Sequence, residues 1–279
     1  MKKIVAAFDG LKYSASTRDY AIELAKQNNM HLVGVFLDDA LYNSYKIYDL
    51  VVKEGVSENR LKKFEEKDKL TRSEAAKDFD KTCQQAGLKY AIHHDRNIAS
   101  QVVKHESIYT DLLLIDSKET LTHYDEKIPT RFIRELLEGA QCPVMVVPKK
   151  YTPIEKIILL YDGEPSSVHA IKMFSYVMPQ LAILDTDVIT IKPATTTLHL
   201  PDNRLMKEFM KRHYPKAKYI VKKGRAENEI IEQLKQTAGN ALIVLGAYRR
   251  GSVSRLFRES MADVLMKQTN FPLFIAHNR

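Results

Sequence analysis

The chain has 279 residues, of which 44% are hydrophobic and 28% charged. This is the composition of a folded protein long enough for two domains, each with its own core, and it excludes an intrinsically disordered chain. The formal charge is +8, but the lysines are scattered and no strip of interleaved aromatic and basic residues stands out, which argues against nucleic acid as the partner.

No apolar stretch approaches the ~20 residues that cross a bilayer, so no membrane association is expected. The opening MKKIVAAFDG is too short an apolar run for a signal peptide and Asp9 interrupts it, so a cytoplasmic location is expected. The two cysteines, Cys83 and Cys142, stand far apart in unlike contexts. They imply neither a disulfide framework nor a metal knuckle.

The chain opens with KIVAAFDGLKYSAS from Lys3, a strand closed by Asp9 and Gly10. Residues 40–86 then carry a helical insertion that includes SENRLKKFEEKDKLTRSEAAKDFDK, read as a helix with solvated charged faces. Within it, Phe79 and Cys83 share apolar spacing and are expected to pack inward. His93 and His94 fall together near a strand end. Neighbours on a strand face opposite ways, so one packed and one exposed histidine is expected rather than a shared metal. DLLLID from Asp111 and CPVMVVPK from Cys142 are further strands, and Cys142 is expected to be a buried structural thiol.

At residue 156 the pattern starts again. KIILLYDGEPSSVH repeats KIVAAFDGLKYSAS at an offset of 153, ALIVLG from Ala241 answers DLLLID, and FPLFIAHN from Phe271 answers CPVMVVPK. The polar join PKKYTPIEK divides the chain into domains 1–150 and 151–279. In the second copy a strand spans Ile157 to Tyr161, and Ser166 or Ser167 is expected to cap a helix with Ala170, Ile171, Phe174, Val177 and Met178 inside. Strands at DVITI and KYIV follow. A helix burying Ile230, Ile231 and Leu234 is stopped by Gly239, and strand 241–245, a helix from near Leu256 and strand 273–276 complete the copy. Apolar strands alternating with helices predict an α/β fold: two doubly wound, mainly parallel sheets of about five strands in tandem.

In such sheets ligands bind beyond the carboxyl ends of the strands, where strand order reverses. Asp162 and Gly163 close the first strand of the second copy, and Gly246 closes the fourth. Ser260 lies near the start of the next helix, whose amides and dipole favour a phosphate. In the first copy Asp116 stands where Gly246 does. Residues 116–131 sum to −1, from three Lys or Arg against four Asp or Glu, whereas residues 246–260 sum to +3, from four Arg against Glu259. Neither a P-loop nor a Gly-x-Ser-x-Gly elbow is present, and no residue is singled out as catalytic.

On the motifs KIVAAFDG and KIILLYDG, the stretch ALIVLGAYRRGSVSRLFRESMADVLMK, and the endings CPVMVV and FPLFIA, both halves resemble universal stress protein domains, and the whole chain resembles a tandem member of that family. The resemblance implies adenine nucleotide α-hydrolase-like domains of the HUP type in a pseudo-twofold arrangement, with the final strands 143–148 and 272–276 meeting across the interface. Such an intramolecular pair also leaves room for a homodimer. In ATP-binding members a glycine, two residues, a second glycine, nine residues, a third glycine and Ser/Thr wrap the phosphates, and the Asp after the first strand lies by the adenosine. On that spacing the second copy keeps Gly246 and Ser260 but places Arg249 and Glu259 at the other two glycines. Arg249 and Arg250 offer charge-assisted contacts in place of backbone ones, and Gly251 offers the loop a shifted course.

Two readings follow from the resemblance. In one, the chain is a stress-response protein that senses ATP, with Mg²⁺, in its second domain only, through Asp162, Gly163, Gly246, Arg249 and Ser260. Hydrolysis there would be slow at most, because no general base is placed for it. In the other, it is a nucleotide-independent scaffold with degenerate sites, binding protein partners through the arginine loop and the helical insertion.

Overall fold

The computed structural model describes residues 1–38, 58–122, 124–195, 198–246 and 260–276. The chain divides into two units, Met1–Cys142 with Lys149–Tyr151, and Pro143–Pro148 with Thr152–Arg279.

In the first unit, strands β1 (Lys3–Asp9), β2 (His31–Leu37), β3 (Tyr90–Asp95) and β4 (Leu112–Asp116) lie in the order β3-β2-β1-β4. All three pairings are parallel; Ile4 of β1 sits between Leu32 of β2 and Leu112 of β4. The β1 and β4 strands are nearly continuous apolar runs because both sheet faces are covered, and Ile4 to Ala6 and Leu112 to Ile115 are fully buried. Helix α1 (Ala15–Asn28) starts at Ser14, whose hydroxyl accepts from Thr17 N, and stops at Asn29 in a left-handed conformation. Helices α3 (Ala99–Ile108) and α4 (Arg131–Gly139) complete the cover.

The described part of the insertion is helix α2 (Glu58–Gln85). Its charged residues are largely exposed, as its composition suggests, while Ala75, Phe79 and Cys83 are buried at i, i+4 and i+8. The ring of Phe79 meets Phe8, Phe36 and Tyr90 at centroid distances of 5.5, 5.9 and 6.3 Å. Gly34 of β2 makes room for it: a Cβ there would stand 2.7 Å from the ring. The absence of one side chain on the strand thus seats the inserted helix. Cys83 and Cys142 are both buried free thiols, pushed up to about 12 by burial, and are inert at neutral pH.

The second unit contains β6 (Lys156–Leu160), β7 (Asp185–Lys192), β8 (Lys218–Lys223), β9 (Ala241–Gly246) and β10 (Leu273–Ala276). Strand β5 (Val144–Val147), the last strand of the first sequence copy, clusters with this unit and pairs antiparallel with β10, Met145 opposite Phe274. The order is β5-β10-β9-β6-β7-β8, with every other pairing parallel. Paired with β9 on one side and β5 on the other, β10 has no open edge.

Helix α5 (Pro165–Val177) is capped two or three residues earlier than the serines expected to cap it. Pro165 occupies its first turn, so Glu164 becomes the N-cap and Ser167 Oγ instead donates to Glu164 O at 2.8 Å. A 3-10 turn (Pro179–Ile183) follows, then α6 (Asn203–His213), α7 (Ala226–Lys235) and α8 (Met261–Gln268). The helix start expected near Leu256 lies outside the described residues.

Candidate functional site

Strand β6 is flanked by β7 on one side and β9 on the other, so the chain leaves it in one direction and returns in the other. The carboxyl ends of β6 and β9 form that reversal point, and Asp162, Gly163 and Gly246 come together there. Thr190 Oγ1 holds the end of the strand by donating to Tyr161 O at 2.7 Å. Asp162 is exposed, and its Oδ1 accepts from Glu164 N at 2.9 Å, which folds the chain back toward α5. Gly163 has φ +91, and a Cβ there would stand 2.7 Å from Pro201 Cβ, so both conformation and contact select glycine.

Gly246 has a different reason for being glycine. A Cβ would stand 2.5 Å from Ser166 O and 2.6 Å from Ser166 C, in the first turn of α5. Its bare backbone lets the helix start lie against β9. Gly246→Val is therefore expected to cost about 1–3 kcal/mol through overpacking, with or without a ligand. Denaturant unfolding of the ligand-free protein measures this, and an unchanged midpoint would show that the helix start moves freely.

Ser260 is the N-cap of α8. Its Oγ accepts from Asp263 N at 3.1 Å while Asp263 Oδ2 accepts from Ser260 N at 3.4 Å, a closed capping box. That pairing already occupies a terminal amide and puts a carboxylate in the helix's first turn, where a phosphate would otherwise be favoured. Arg249, with Arg250, Gly251, Arg255, Arg258 and Glu259, lies outside the described residues.

The matching end of the first unit is acidic. Asp9 is 1% exposed; its Oδ1 accepts from Leu11 N at 2.8 Å, and its Oδ2 has no hydrogen-bond partner. Burial pushes its pKa up, against the opposing pull of Arg72 and Lys12. Asp116, at the end of neighbouring β4, accepts from Ser14 Oγ at 2.7 Å and from Lys118 N at 2.8 Å. Glu119 is also buried, and its Oε1 accepts from Thr120 N and Leu121 N, both at 2.9 Å. Burial first, then the charge of Asp9, holds its carboxyl at about 7. Asp116 was legible from the repeat alignment. Glu119 was not, because a glutamate three residues past a strand end reads as loop.

Three acidic side chains thus crowd one strand reversal, and burial favours the neutral form of two of them, Asp9 and Glu119. Among the described residues no group of three or more His, Cys, Asp or Glu is arranged to hold a metal ion. His93 pairs with Glu106 at 2.7 Å and His94 stacks on Phe36 at 5.6 Å, so both imidazoles are engaged on separate faces while remaining exposed.

Beside β2 and β3 the inserted helix α2 bounds a cavity of about 810 Å³. Phe36 and His94 form an aromatic wall, with Asp38, Arg72 and Arg96 at its edge. Arg72 donates to Leu37 O at 3.0 Å and meets Asp38 at 3.0 Å, tying α2 to the end of β2.

No model of a known protein family matches the sequence, and no curated protein matches it. Solved structures do match in fold. A universal stress protein from Archaeoglobus fulgidus DSM 4304 aligns with a TM-score of 0.70 at 11% identity, covering 99% of this chain and 98% of that one. A functionally unknown protein from Pseudomonas aeruginosa PAO1 aligns with a TM-score of 0.59 at 13% identity, covering 99% and 92%. The cytoplasmic domain of a prokaryotic cation chloride cotransporter aligns with a TM-score of 0.54 at 10% identity, covering 99% and 95%.

Proposed function

We propose that this chain, which has the fold of a universal stress protein from end to end, is a tandem member of that family whose second unit alone receives an adenine nucleotide. The asymmetry of the two strand reversals carries this reading. The first unit fills its reversal with Asp9, Asp116 and Glu119, two of them buried. The second presents an exposed Asp162 beside Gly163 and Gly246, with only Asp162 and Glu164 as charges on the described β6–α5 connection. In this reading Asp162 faces the nucleoside and Arg249 contributes charge toward the phosphates, with Mg²⁺ accompanying ATP.

A nucleotide-independent scaffold is the second reading, favoured by the closed capping box at Ser260 and by the packing role of Gly246. The cytoplasmic domain of a prokaryotic cation chloride cotransporter has the same fold.

Calorimetric titration of nucleotide-stripped protein with ATP and Mg²⁺ distinguishes the two. One site per chain is expected, lost in Asp162→Lys and retained in Asp9→Asn. Asp162 is the informative position because, unlike Gly246, it is exposed and its replacement leaves the core intact. Two sites per chain, or a site lost in Asp9→Asn alone, would place the ligand in the first unit and refute the assignment. No heat at saturating ATP would leave the scaffold.

A further inference from the structure

The formal charge of +8 is not spread evenly. Residues 203–225, comprising α6, β8 and the connection between them, contain nine Lys or Arg and a single acid, Glu208. Helix α6 turns Met206 and Met210 into the core. Its outer face carries Arg204, Lys207 and Lys211 at i, i+3 and i+7, all exposed and none with an acidic partner among the described residues. The acid, Glu208, is already paired with Arg212 at 3.2 Å. Lys216 and Lys218 extend the basic surface past the helix, and Lys218 reaches Asp185 only at 3.8 Å, with both side chains mostly in solvent.

An apolar row runs along the flank of the basic one. Leu205 is 60% exposed. Phe209 and His213 continue it at i+4 and i+8, with ring centroids 4.5 Å apart. Tyr176 at the end of α5 is half exposed and lies 5.7 Å from His213, with Lys172 5.8 Å above its ring. Ile183, closing the 3-10 turn after α5, is 89% exposed. The cations leave a trace on their neighbour: burial, then Arg212 and Lys172, lower the His213 pKa.

These apolar groups project from the surface; neither described cavity is lined by them. A partner helix seats its apolar face in a groove, whereas Leu205, Tyr176 and Ile183 stand exposed on helices and a turn. A nucleic acid would use the cations but leave Leu205 and Ile183 without a role. A layer of anionic lipid headgroups uses both, since cations meet the negative surface while short apolar groups enter the interface. We propose that α6, with the end of α5 and the turn after it, is a peripheral docking surface for anionic membranes. Arg204, Lys207 and Lys211 meet the headgroups, and Leu205, Tyr176 and Ile183 enter the interface. The contact is superficial, for no described helix is long and apolar enough to cross a membrane. It is also independent of nucleotide binding.

The test is co-sedimentation of the full chain with phosphatidylcholine vesicles, with and without phosphatidylserine, at low and high salt. Binding is expected to the phosphatidylserine vesicles only and to fall as salt rises. The combined variant R204E/K207E/K211E should weaken it by at least ~100-fold, and Leu205→Ser by about tenfold. An unchanged thermal transition will show that these surface variants fold. Absence of binding by the natural sequence would overturn the proposal, as would binding undiminished in the triple variant. A polythymidylate oligonucleotide bound more tightly than the vesicles, and lost in the same variant, would overturn it in favour of nucleic acid.

Discussion

Replacing Phe79 by alanine is expected to lower the stability of the first unit by about 3–5 kcal/mol. The ring is fully buried, touches Phe8, Phe36 and Tyr90, and is the largest side chain that the inserted helix α2 sends into the core. Two units need not unfold together, so hydrogen exchange of the β2 amides is a better measure than a single global transition. A double-mutant cycle makes the packing argument sharper. Gly34→Ala alone should destabilise, because the new Cβ would stand 2.7 Å from the Phe79 ring. In the Phe79→Ala background that cost should disappear, since the obstacle is gone. Additive effects would mean that Gly34 and Phe79 are not the joint by which the insertion is attached.

Glu119→Gln is expected to remove a pH dependence of stability. The folded state holds the Glu119 carboxyl at about 7, above its ordinary 4.5. Below 4.5 both folded and unfolded chains carry the proton. Between 4.5 and 7 only the folded chain keeps it, so stability falls as pH rises through this window and then levels off. The loss amounts to about 3 kcal/mol. The groups facing it are the carboxylates Asp9 and Asp116, with Arg72 and Lys12 acting on Asp9. Glutamine keeps an oxygen for the amides of Thr120 and Leu121 and carries no charge to bury. The variant should therefore match the natural protein near pH 4 and exceed it near pH 8, in parallel denaturant titrations at the two pH values. Coincident profiles across the range would show that Glu119 ionises as freely as an exposed glutamate.

These two residues mark where sequence reasoning stops. Phe79 and Cys83 were legible as an inward stripe because helical spacing is local. That their stripe lands on Gly34, some forty-five residues earlier, depends on which strand lies beneath the helix. Glu119 carries no local signal of burial at all. Its environment is made by Asp9, at the end of another strand, and by the loop closing over it. Gly246 shows a third case: its position after a strand was plain, but the contact that requires glycine is with Ser166, which lies far away along the chain. The concentration of charge in residues 203–225 was present in the sequence and was read as scatter, because only the fold shows that α6 turns its cations outward together.

The sequence by itself determined the internal repeat, the parallel α/β architecture, most of the buried strands and the placement of Asp162, Gly163 and Gly246 at strand ends. All of these rest on periodicity and on chemistry within a few residues. Only the tertiary structure decided that the first strand reversal is packed with acidic side chains and that the inserted helix is seated by a glycine. Each of those outcomes is set by groups far apart along the chain, and burial, field and fit exist only once folding brings such groups together.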